Sequence, residues 1–365
     1  MSGVVVGLSG GIDSAVAALL LRDAGHQVRG ATLELSDADD PRSCCSPTAV
    51  RRAGAVAGIL GIPHDVVDAR AAFSTVVIER FVASYLSGET PNPCIDCNPW
   101  RFARLAALAD AARASRVASG HYARIVRRRG AAFLARGFDA DKDQSYMLWR
   151  VGGARLGRLD FPLGELTKVE VRVLAERAGL PVVAVPESQE VCFAPDGYRE
   201  FLAARGAGDA DGEIVDAEGS VIGRHRGVWR YTVGQRRGLG IAADGPLYVL
   251  AVDAGSGRVT VGRREALAVT AVALNGVVDY DLGEGIELTI QLRYRSAATG
   301  VRRLRRLAAG RALVDLSEPF VGLAAGQSAV FYRGDVVVGG GVVAGPVPGR
   351  ERAVCDSLTA QSDWI

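Results

Sequence analysis

The chain has 365 residues, 48% of them hydrophobic and 23% charged, with a formal net charge of +2. That composition excludes a disordered or fibrous chain, and the length suits roughly two or three globular domains. The near-neutral balance gives no global argument for a nucleic-acid partner, so local clusters must carry one.

The first predicted element is the valine run Val4-Val5-Val6, a short strand of the buried parallel kind. It passes through Gly7-Leu8-Ser9-Gly10-Gly11-Ile12-Asp13-Ser14 into residues 15–21, which favour a helix. Adjacent glycines let the backbone approach a ligand and adopt positive φ. Exposed N–H groups and the helix dipole then make an anion site. Ser9 and Ser14 add hydroxyls, and Asp13 is suited to cap the helix or to face a phosphate-bound metal such as Mg2+. No Gly-Lys-Ser/Thr follows, so this is not a Walker loop. The Ser-Gly-Gly-x-Asp-Ser string resembles the pyrophosphate loop of the ATP pyrophosphatase superfamily. That resemblance implies ATP cleavage between the α- and β-phosphates and adenylylation of a substrate.

Gly25 is placed to end the first helix. A second strand is predicted over 28–35, then a polar loop over 36–46 holding Cys44 and Cys45. Ser46-Pro47 opens a helix to about residue 60. A strand over 64–68 and a helix over 71–86 follow. This alternation predicts a doubly wound, mostly parallel sheet covered on both faces, with nucleotide at the carboxyl ends of its strands.

In Thr90-Pro91-Asn92-Pro93-Cys94-Ile95-Asp96-Cys97-Asn98-Pro99, Asn98 reads as a helix cap with Pro99 at the first helical position. The helix is expected to reach about residue 114. Cys97 then stands just before a helix N-terminus, which favours a thiolate nucleophile or a metal ligand, against a structural cysteine in a tight turn. A strand over 117–119 exits into Gly120-His121-Tyr122, where His121 either meets substrate or is a satisfied structural histidine. Residues 127–130 read as a hairpin tip. Residues 141–146 read as a charged loop or a substrate contact. Thr167-Lys168-Val169-Glu170 is a capping box, opening a helix that Gly179 stops. After a connector over 181–186, Cys192 by itself reads as a buried structural thiol, and Asp196 as the cap of a helix over 198–204.

From about Gly206 the pattern turns to short alternating strands, over 213–216, 248–252 and 258–261. Residues 224–231 and 234–240 interleave arginines with aromatics, a composition that suits phosphate contact with base stacking. From about Ala266 a small β-barrel is predicted, carrying Arg293-Tyr294-Arg295 and the run 302–306. Arginines on exposed strands are commonly solubility devices, but several clusters behind an adenylating domain favour RNA. The tail beyond about Gly345 is expected to be disordered.

Taken together, the strings at 7–14, 90–98, 120–122, 141–146, 191–193, 234–240, 293–295 and 326–332 resemble the bacterial tRNA-specific 2-thiouridylase family over roughly residues 3–345. The resemblance implies an ATP-binding domain with its helical connector over 1–204, a central β domain over 205–265 and a barrel over 266–345, both β domains binding tRNA. It implies that ATP adenylylates the C2 oxygen of the wobble uridine, and that sulfur then replaces it with loss of AMP. On this resemblance Gly7, Leu8, Ser9, Gly10, Gly11, Ile12, Asp13, Ser14, Leu33 and Gly120 bind ATP. Cys97 is the nucleophile and Cys192 its persulfide-bearing partner, linked by thiol–disulfide chemistry. Asn92, Pro93 and Cys94 lie at the target base. Lys142, Asp143, Gln144, Arg293, Tyr294, His121 and Gln327 contact tRNA. The implied partners are tRNA and a sulfur donor or carrier protein.

Well-known members of that family carry aspartate, with a general acid/base role, where this chain has Cys94; here that carboxylate is absent from its position, and Asp96 lies two residues on. Cys94, Cys97 and Cys192 alternatively suit a 4Fe–4S cluster with one open iron, with zinc a weaker option. The other enzyme reading is a different adenylating ligase of the pyrophosphate-loop superfamily, which would need none of these thiols. A third is a non-catalytic RNA-binding metalloprotein. The chain opens on a core strand and lacks a membrane-length apolar run, so a cytoplasmic protein with reduced thiols and no signal peptide is expected. Cys44, Cys45 and Cys355 have no assigned role.

Overall fold

In a computed structural model, described for residues 2–38, 46–128, 130–182, 191–283 and 287–347, β1 (Gly3–Gly7) is the centre of a five-stranded parallel sheet. Its three valines are fully buried. The expectations for Cys44, Cys45, Arg129, residues 183–190, Cys355 and the tail from 348 lie outside the described residues.

The first helix is α1 (Ile12–Asp23), with Gly25 at φ 82° just past its end. Next come β2 (Gln27–Glu34), α2 (Pro47–Leu60) and β3 (His64–Asp68). Ser46 caps α2 by accepting from the Ala49 N–H, with proline at the helix start, as predicted. The predicted helix over 71–86 is instead α3 (Arg70–Phe73), a π-helical turn (Ser74–Ile78) and α4 (Glu79–Leu86). The run Thr75-Val76-Val77-Ile78 is β-branched throughout, and such side chains crowd the preceding turn.

α5 (Cys94–Ala111) begins earlier than expected. Pro93 sits in helical geometry (φ −65°, ψ −21°), Ile95 N–H donates to Asn92 O, and Cys97 N–H donates to Pro93 O at 3.0 Å. Asn98 is therefore not the cap. Pro99 lies inside the helix, and the Asn98 amide donates to Met147 O at 3.1 Å.

β4 (Arg116–Ala118) follows, then the hairpin β5 (Ala123–Arg128) and β6 (Ala131–Arg136), α6 (Ser145–Leu148), and β7 (Leu159–Asp160). α7 (Lys168–Arg177) carries the predicted capping box and is followed by Gly179 at φ 63°. α8 (Tyr198–Ala204) is capped by Gly197 at φ 105°, with no side-chain cap bond, rather than by Asp196. The sheet order is β3-β2-β1-β4-β7, all parallel, so the order reverses between β1 and β4. Val4 and Val6 share one apolar cluster with α1, α2 and α7, while α5 packs on β1 as well. The doubly wound expectation holds, and its switch point lies where the Ser-Gly-Gly loop begins.

The remainder is antiparallel apart from one pairing. β8 (Gly212–Val215), β9 (Val221–His225), β10 (Tyr248–Asp253) and β11 (Arg258–Gly262) form a sheet ordered β10-β11-β8-β9, in which β8 and β11 are parallel. β12 (Ala268–Asp279), β13 (Thr289–Gln291), β14 (Thr299–Leu307), β15 (Arg311–Val321), β16 (Ser328–Arg333) and β17 (Val336–Pro346) run in the order β12-β15-β14-β13-β16-β17. Pairing of β12 with β17 closes them into the expected barrel.

By contacts the chain forms two units. One is Met1–Ala83 with Asn92–Ala207 and Asp335–Val338; the other is Ser84–Pro91 with Gly208–Gly334 and Gly339–Ile365.

Candidate active site

The loop after β1 is folded by its own serines. Ser9 N–H donates to Ser14 Oγ at 3.1 Å, the two hydroxyls lie 3.2 Å apart, and Ser14 Oγ donates to Gly11 O. Gly10 has φ 73°, and a β-carbon there would stand 2.3 Å from Ala49 O, so only glycine fits. Gly11 is the N-cap of α1 and supplies no side-chain acceptor, which leaves the first-turn N–H groups for an anion. Asp13 is therefore not the cap. Its Oδ1 accepts from Tyr122 OH at 2.8 Å and from Lys168 Nζ at 2.6 Å. Gly120, at the exit of β4, abuts this turn: a β-carbon there would lie 2.5 Å from Asp13 C.

Around the loop lies a cleft lined by Gly7, Leu8, Ser9, Asp13, Ser14, Leu33, Gly120, His121 and Gln144, with Ala31, Arg101, Leu105 and Ser119. Of the residues expected at nucleotide, Gly10, Gly11 and Ile12 are not among its lining. Ile12 is 5% exposed and belongs to the core. His121 and Gln144, expected at tRNA, face this same cleft. Burial pushes the His121 pKa down to about 3, and the Arg101 charge adds to this, so the ring is neutral. It hydrogen-bonds Ser119 Oγ at 2.7 Å and packs against Phe102 and Phe161. Gln144 Oε1 accepts from Tyr122 N–H at 2.9 Å.

Asp143 is committed inward. It accepts from Arg136, from Gly137 N–H, and from both the N–H and Oγ of Ser145. Lys142 is half-buried beside it.

Cys97 is buried in the first turn and a half of α5, in an apolar cluster with Leu33, Leu35 and Phe73. Cys192 and Phe193 pack against the same cluster. Residues nearly a hundred positions apart thus share one environment. Leu33 belongs both to this cluster and to the cleft. Arg101, one helical turn beyond Cys97, donates Nη2 to its Sγ at 3.7 Å and also lines the cleft. Sequence reading missed Arg101, Tyr122 and Lys168. The i, i+4 spacing from Cys97 to Arg101 was the available signal for the first.

Asn92 Oδ1 accepts from the Cys94 N–H at 3.1 Å, fixing the turn into α5. Asp96 is ion-paired with Arg150 and lies 3.8 Å from Arg80, so its carboxylate is held by cations. Among the described residues no three His, Cys, Asp or Glu side chains converge to hold a metal ion. Cys97 and Cys192 pack in one apolar cluster, and Cys94 opens the first turn of α5 three residues before Cys97.

In the other unit, Gln327 donates its amide to Thr90 O, and Thr90 N–H donates to Ala325 O at 2.8 Å. Gln327 thus clamps the start of the Thr90–Asn98 string. Arg293-Tyr294-Arg295 is a tight loop after β13, with Arg295 at φ 59° and its guanidinium 5.3 Å from the Tyr294 ring centre. Trp229 is 3% exposed, donates to Gly208 O and carries Arg230 on its face, so it is a core residue and not a stacking platform. Arg224, Arg226, Arg236 and Arg237 remain exposed. On β14, Arg306 pairs with Asp279 and Arg305 lies 4.0 Å from Asp315.

Comparison with known proteins gives three consecutive matches: a tRNA methyl transferase HUP domain over residues 2–196, a tRNA methyl transferase PRC-barrel domain over 199–263, and an aminomethyltransferase beta-barrel domain over 267–343. A tRNA-specific 2-thiouridylase MnmA of Acidithiobacillus ferrooxidans is 43% identical over 349 residues, covering 93% of this chain and 98% of that protein. One of Moorella thermoacetica is 44% identical over 352 residues, covering 93% and 98%. A bifunctional protein NifU/MnmA of Rubrobacter xylanophilus is 46% identical over 346 residues, covering 94% of this chain and 70% of its own length. With such identity sustained from the nucleotide loop to the last barrel strand, the chain belongs to the tRNA-specific 2-thiouridylase MnmA family.

Proposed function

We propose that the protein is an ATP-dependent tRNA uridine 2-sulfurtransferase. The observation that carries this reading is Leu33, which lines the Ser-Gly-Gly cleft and packs in the cluster of Cys97 and Cys192. An adenylating loop beside two cysteines is the arrangement that thiolation of an activated carbonyl requires.

A uracil carbonyl is a poor electrophile. Attack of the C2 oxygen on the α-phosphorus of ATP expels diphosphate and makes that oxygen part of a good leaving group. Mg2+, when bound with ATP, neutralises phosphate charge. Gly7, Leu8, Ser9, Asp13 and Ser14 face the phosphates, Gly10 and Gly11 shape the turn, Ile12 anchors it in the core, and Leu33 and Gly120 border the nucleoside. Lys168 offers a cation that is paired with Asp13 before nucleotide enters.

A donor or carrier protein loads sulfur on Cys192 as a persulfide. The Cys97 thiolate attacks its inner sulfur, forming a Cys97–Cys192 disulfide and releasing hydrosulfide. Hydrosulfide adds at C2, and AMP departs with the original oxygen. The two electrons that reduce the sulfane sulfur come from the two thiols, so a thiol reductant must reopen the disulfide before the next turnover. Cys94, Cys97 and Cys192 are the residues that would hold a 4Fe–4S cluster, which would supply an open iron for hydrosulfide in place of the persulfide.

Asn92, Pro93 and Cys94 sit at the target base, with Lys142, Arg293 and Tyr294 at tRNA. His121, Asp143, Gln144 and Gln327 act by bracing the strand exits and turns beside them. With Asp96 locked to Arg150, proton transfer at the base falls to solvent or to substrate phosphate. Residues 1–204 form the adenylating domain, 205–265 and 266–345 the tRNA-binding domains. No helix among the described residues is long and apolar enough to cross a membrane, and the tRNA substrate assigns the protein to the cytoplasm.

The test is incubation with ATP, Mg2+, unmodified tRNA and a persulfide donor, with nucleosides read by mass spectrometry. 2-Thiouridine and AMP in equal amounts are expected. Absence of 2-thiouridine with persulfide and with sulfide, from protein that binds both ATP and tRNA, overturns the reading.

A further inference from the structure

His121, just past β4, and Gln144, just before α6, both line the nucleotide cleft. Each is fastened to the protein at one end of its polar group. His121 Nδ1 shares a hydrogen bond with Ser119 Oγ at 2.7 Å, and the ring packs against Phe102 and Phe161. Gln144 Oε1 accepts from Tyr122 N–H at 2.9 Å.

Bracing uses only half of each group. A backbone N–H can only donate, so the amide atom facing Tyr122 is the oxygen, and the Gln144 NH2 points away from it. Among the described residues no group hydrogen-bonds that NH2 or the His121 Nε2. Both side chains are half-buried, and both border the cleft. Two polar atoms without a protein partner thus stand on the wall of a site whose ligand is rich in acceptor oxygens.

Charge narrows what they meet. Burial and the Arg101 charge keep the His121 ring uncharged, and an amide carries no charge. With Ser119 donating to Nδ1, Nε2 carries the hydrogen and donates. The carboxylate of the same cleft, Asp13, is taken up by Tyr122 and Lys168. The start of α1 supplies N–H groups and a dipole, which suit the highly charged diphosphate. Uncharged donors suit a single phosphate and hydroxyls instead. Gly120 lies against the backbone of Asp13 and Ser14, so His121 emerges directly beside the loop.

We propose that His121 Nε2 and the Gln144 amide are nucleotide contacts, donating hydrogen bonds to the AMP moiety of ATP, the part that stays on the substrate when diphosphate leaves. The assignment rests on the sulfurtransferase reading only for ATP as the occupant of the cleft. It moves both residues from the tRNA role that the resemblance implied to the adenylate. Ser119 and Tyr122 hold the two donors in place before nucleotide enters, which lowers the ordering cost of binding.

Two substitutions separate contact from bracing. Gln144→Glu keeps an oxygen for Tyr122 N–H and replaces the outward NH2 by a second oxygen. His121→Asn keeps a polar atom near the Nδ1 position and has none at Nε2, whereas His121→Gln places its amide near Nε2. In calorimetry without tRNA, Gln144→Glu and His121→Asn are each expected to weaken ATP and AMP binding by about tenfold or more, with His121→Gln recovering part of the loss. Affinity for unmodified tRNA without nucleotide, read by filter binding, is expected to stay level. The chain has four histidines, so the His121 imidazole nitrogens can be assigned in wild-type spectra by elimination with His26→Gln, His64→Gln and His225→Gln. Saturating ATP is expected to move the His121 Nε2 resonance. An unmoved resonance overturns the proposal even where the His121 and Gln144 variants fail to fold. Folded variants that bind ATP as the wild type does, or that lose tRNA and not ATP, overturn it as well. Wild-type protein that binds neither ATP nor AMP sinks this assignment and the sulfurtransferase reading together. The expected affinity losses without 2-thiouridine formation by the wild type sink that reading alone and leave the nucleotide contacts standing.

Discussion

The nucleotide cleft and the thiol cluster meet at Leu33, yet they are built from different materials. The cleft is made of backbone: a glycine at positive φ, a serine pair that folds the turn, and a helix start with no side-chain cap. The thiol cluster is made of side chains from β2, α3, α5 and the segment at Cys192. A backbone site needs a few residues in a fixed local order. A side-chain site exists only after distant segments pack. The first should therefore fail by steric insertion, and the second by loss of single functional groups.

The largest expected effect falls on the second. On the proposed mechanism, Cys97→Ser or Cys192→Ser should lower 2-thiouridine formation by roughly a thousandfold or more, because serine would replace a thiol that forms a covalent bond in it. ATP affinity, measured by calorimetry, should stay within about twofold of wild type. A matching loss of ATP binding would show that the two sites are one.

The converse insertion is Gly120→Ala. Its β-carbon would lie 2.5–2.7 Å from backbone atoms of Asp13 and Ser14, and backbone cannot swing aside as a long side chain can. A cost of about 1–3 kcal/mol is expected in chemical denaturation, with ATP affinity down by roughly tenfold or more. A variant with full affinity and unchanged stability would mean that β4 and α1 slide apart freely, contrary to a backbone-built cleft.

This contrast also explains what could be read from sequence. The strand–loop–helix at residues 4–21 was legible because its cause is local: valines, glycines and serines whose spacing dictates their geometry. Ser46-Pro47 and the Thr167–Glu170 box were legible for the same reason. The start of α5 was misread because two signals conflicted. Asn98-Pro99 is a good cap locally, but Pro93 already holds helical φ and Asn92 caps from behind. The aromatic-and-arginine stretch misled because Trp229 finds Gly208, which is far from obvious in composition. Lys168, Tyr122 and Arg101 escaped notice because their roles are set by partners 155, 109 and four positions away, of which only the last leaves a mark in spacing.

A milder test lies in pH. His121 titrates near 3 in the folded protein against an ordinary 6.5, so the unfolded chain binds the extra proton across that window. Stability is then fully present above pH 6.5 and falls as pH drops toward 3, by about 2 kcal/mol between 6.5 and 5. His64, also lowered by burial, adds in the same direction. His121→Gln has no ring to titrate and should flatten much of this acid limb in urea melts at stepped pH. An unchanged slope would mean that the cleft admits enough water to charge the ring.

The smallest effect probes how far the backbone site extends. Ser46 is fully buried and accepts from Ala49 N–H to start α2, and Ala49 is the residue whose carbonyl crowds Gly10. Ser46→Ala removes that cap at a cost of about 1 kcal/mol. If the loop keeps its shape because α2 fixes one wall, ATP affinity should fall by a few-fold alongside stability, although Ser46 is not among the cleft's lining. If Ser9 and Ser14 suffice to fold the loop, stability should drop and affinity stay level. The two measurements on one variant thus separate a cleft shaped from within by its hydroxyls from one shaped from outside by helix packing.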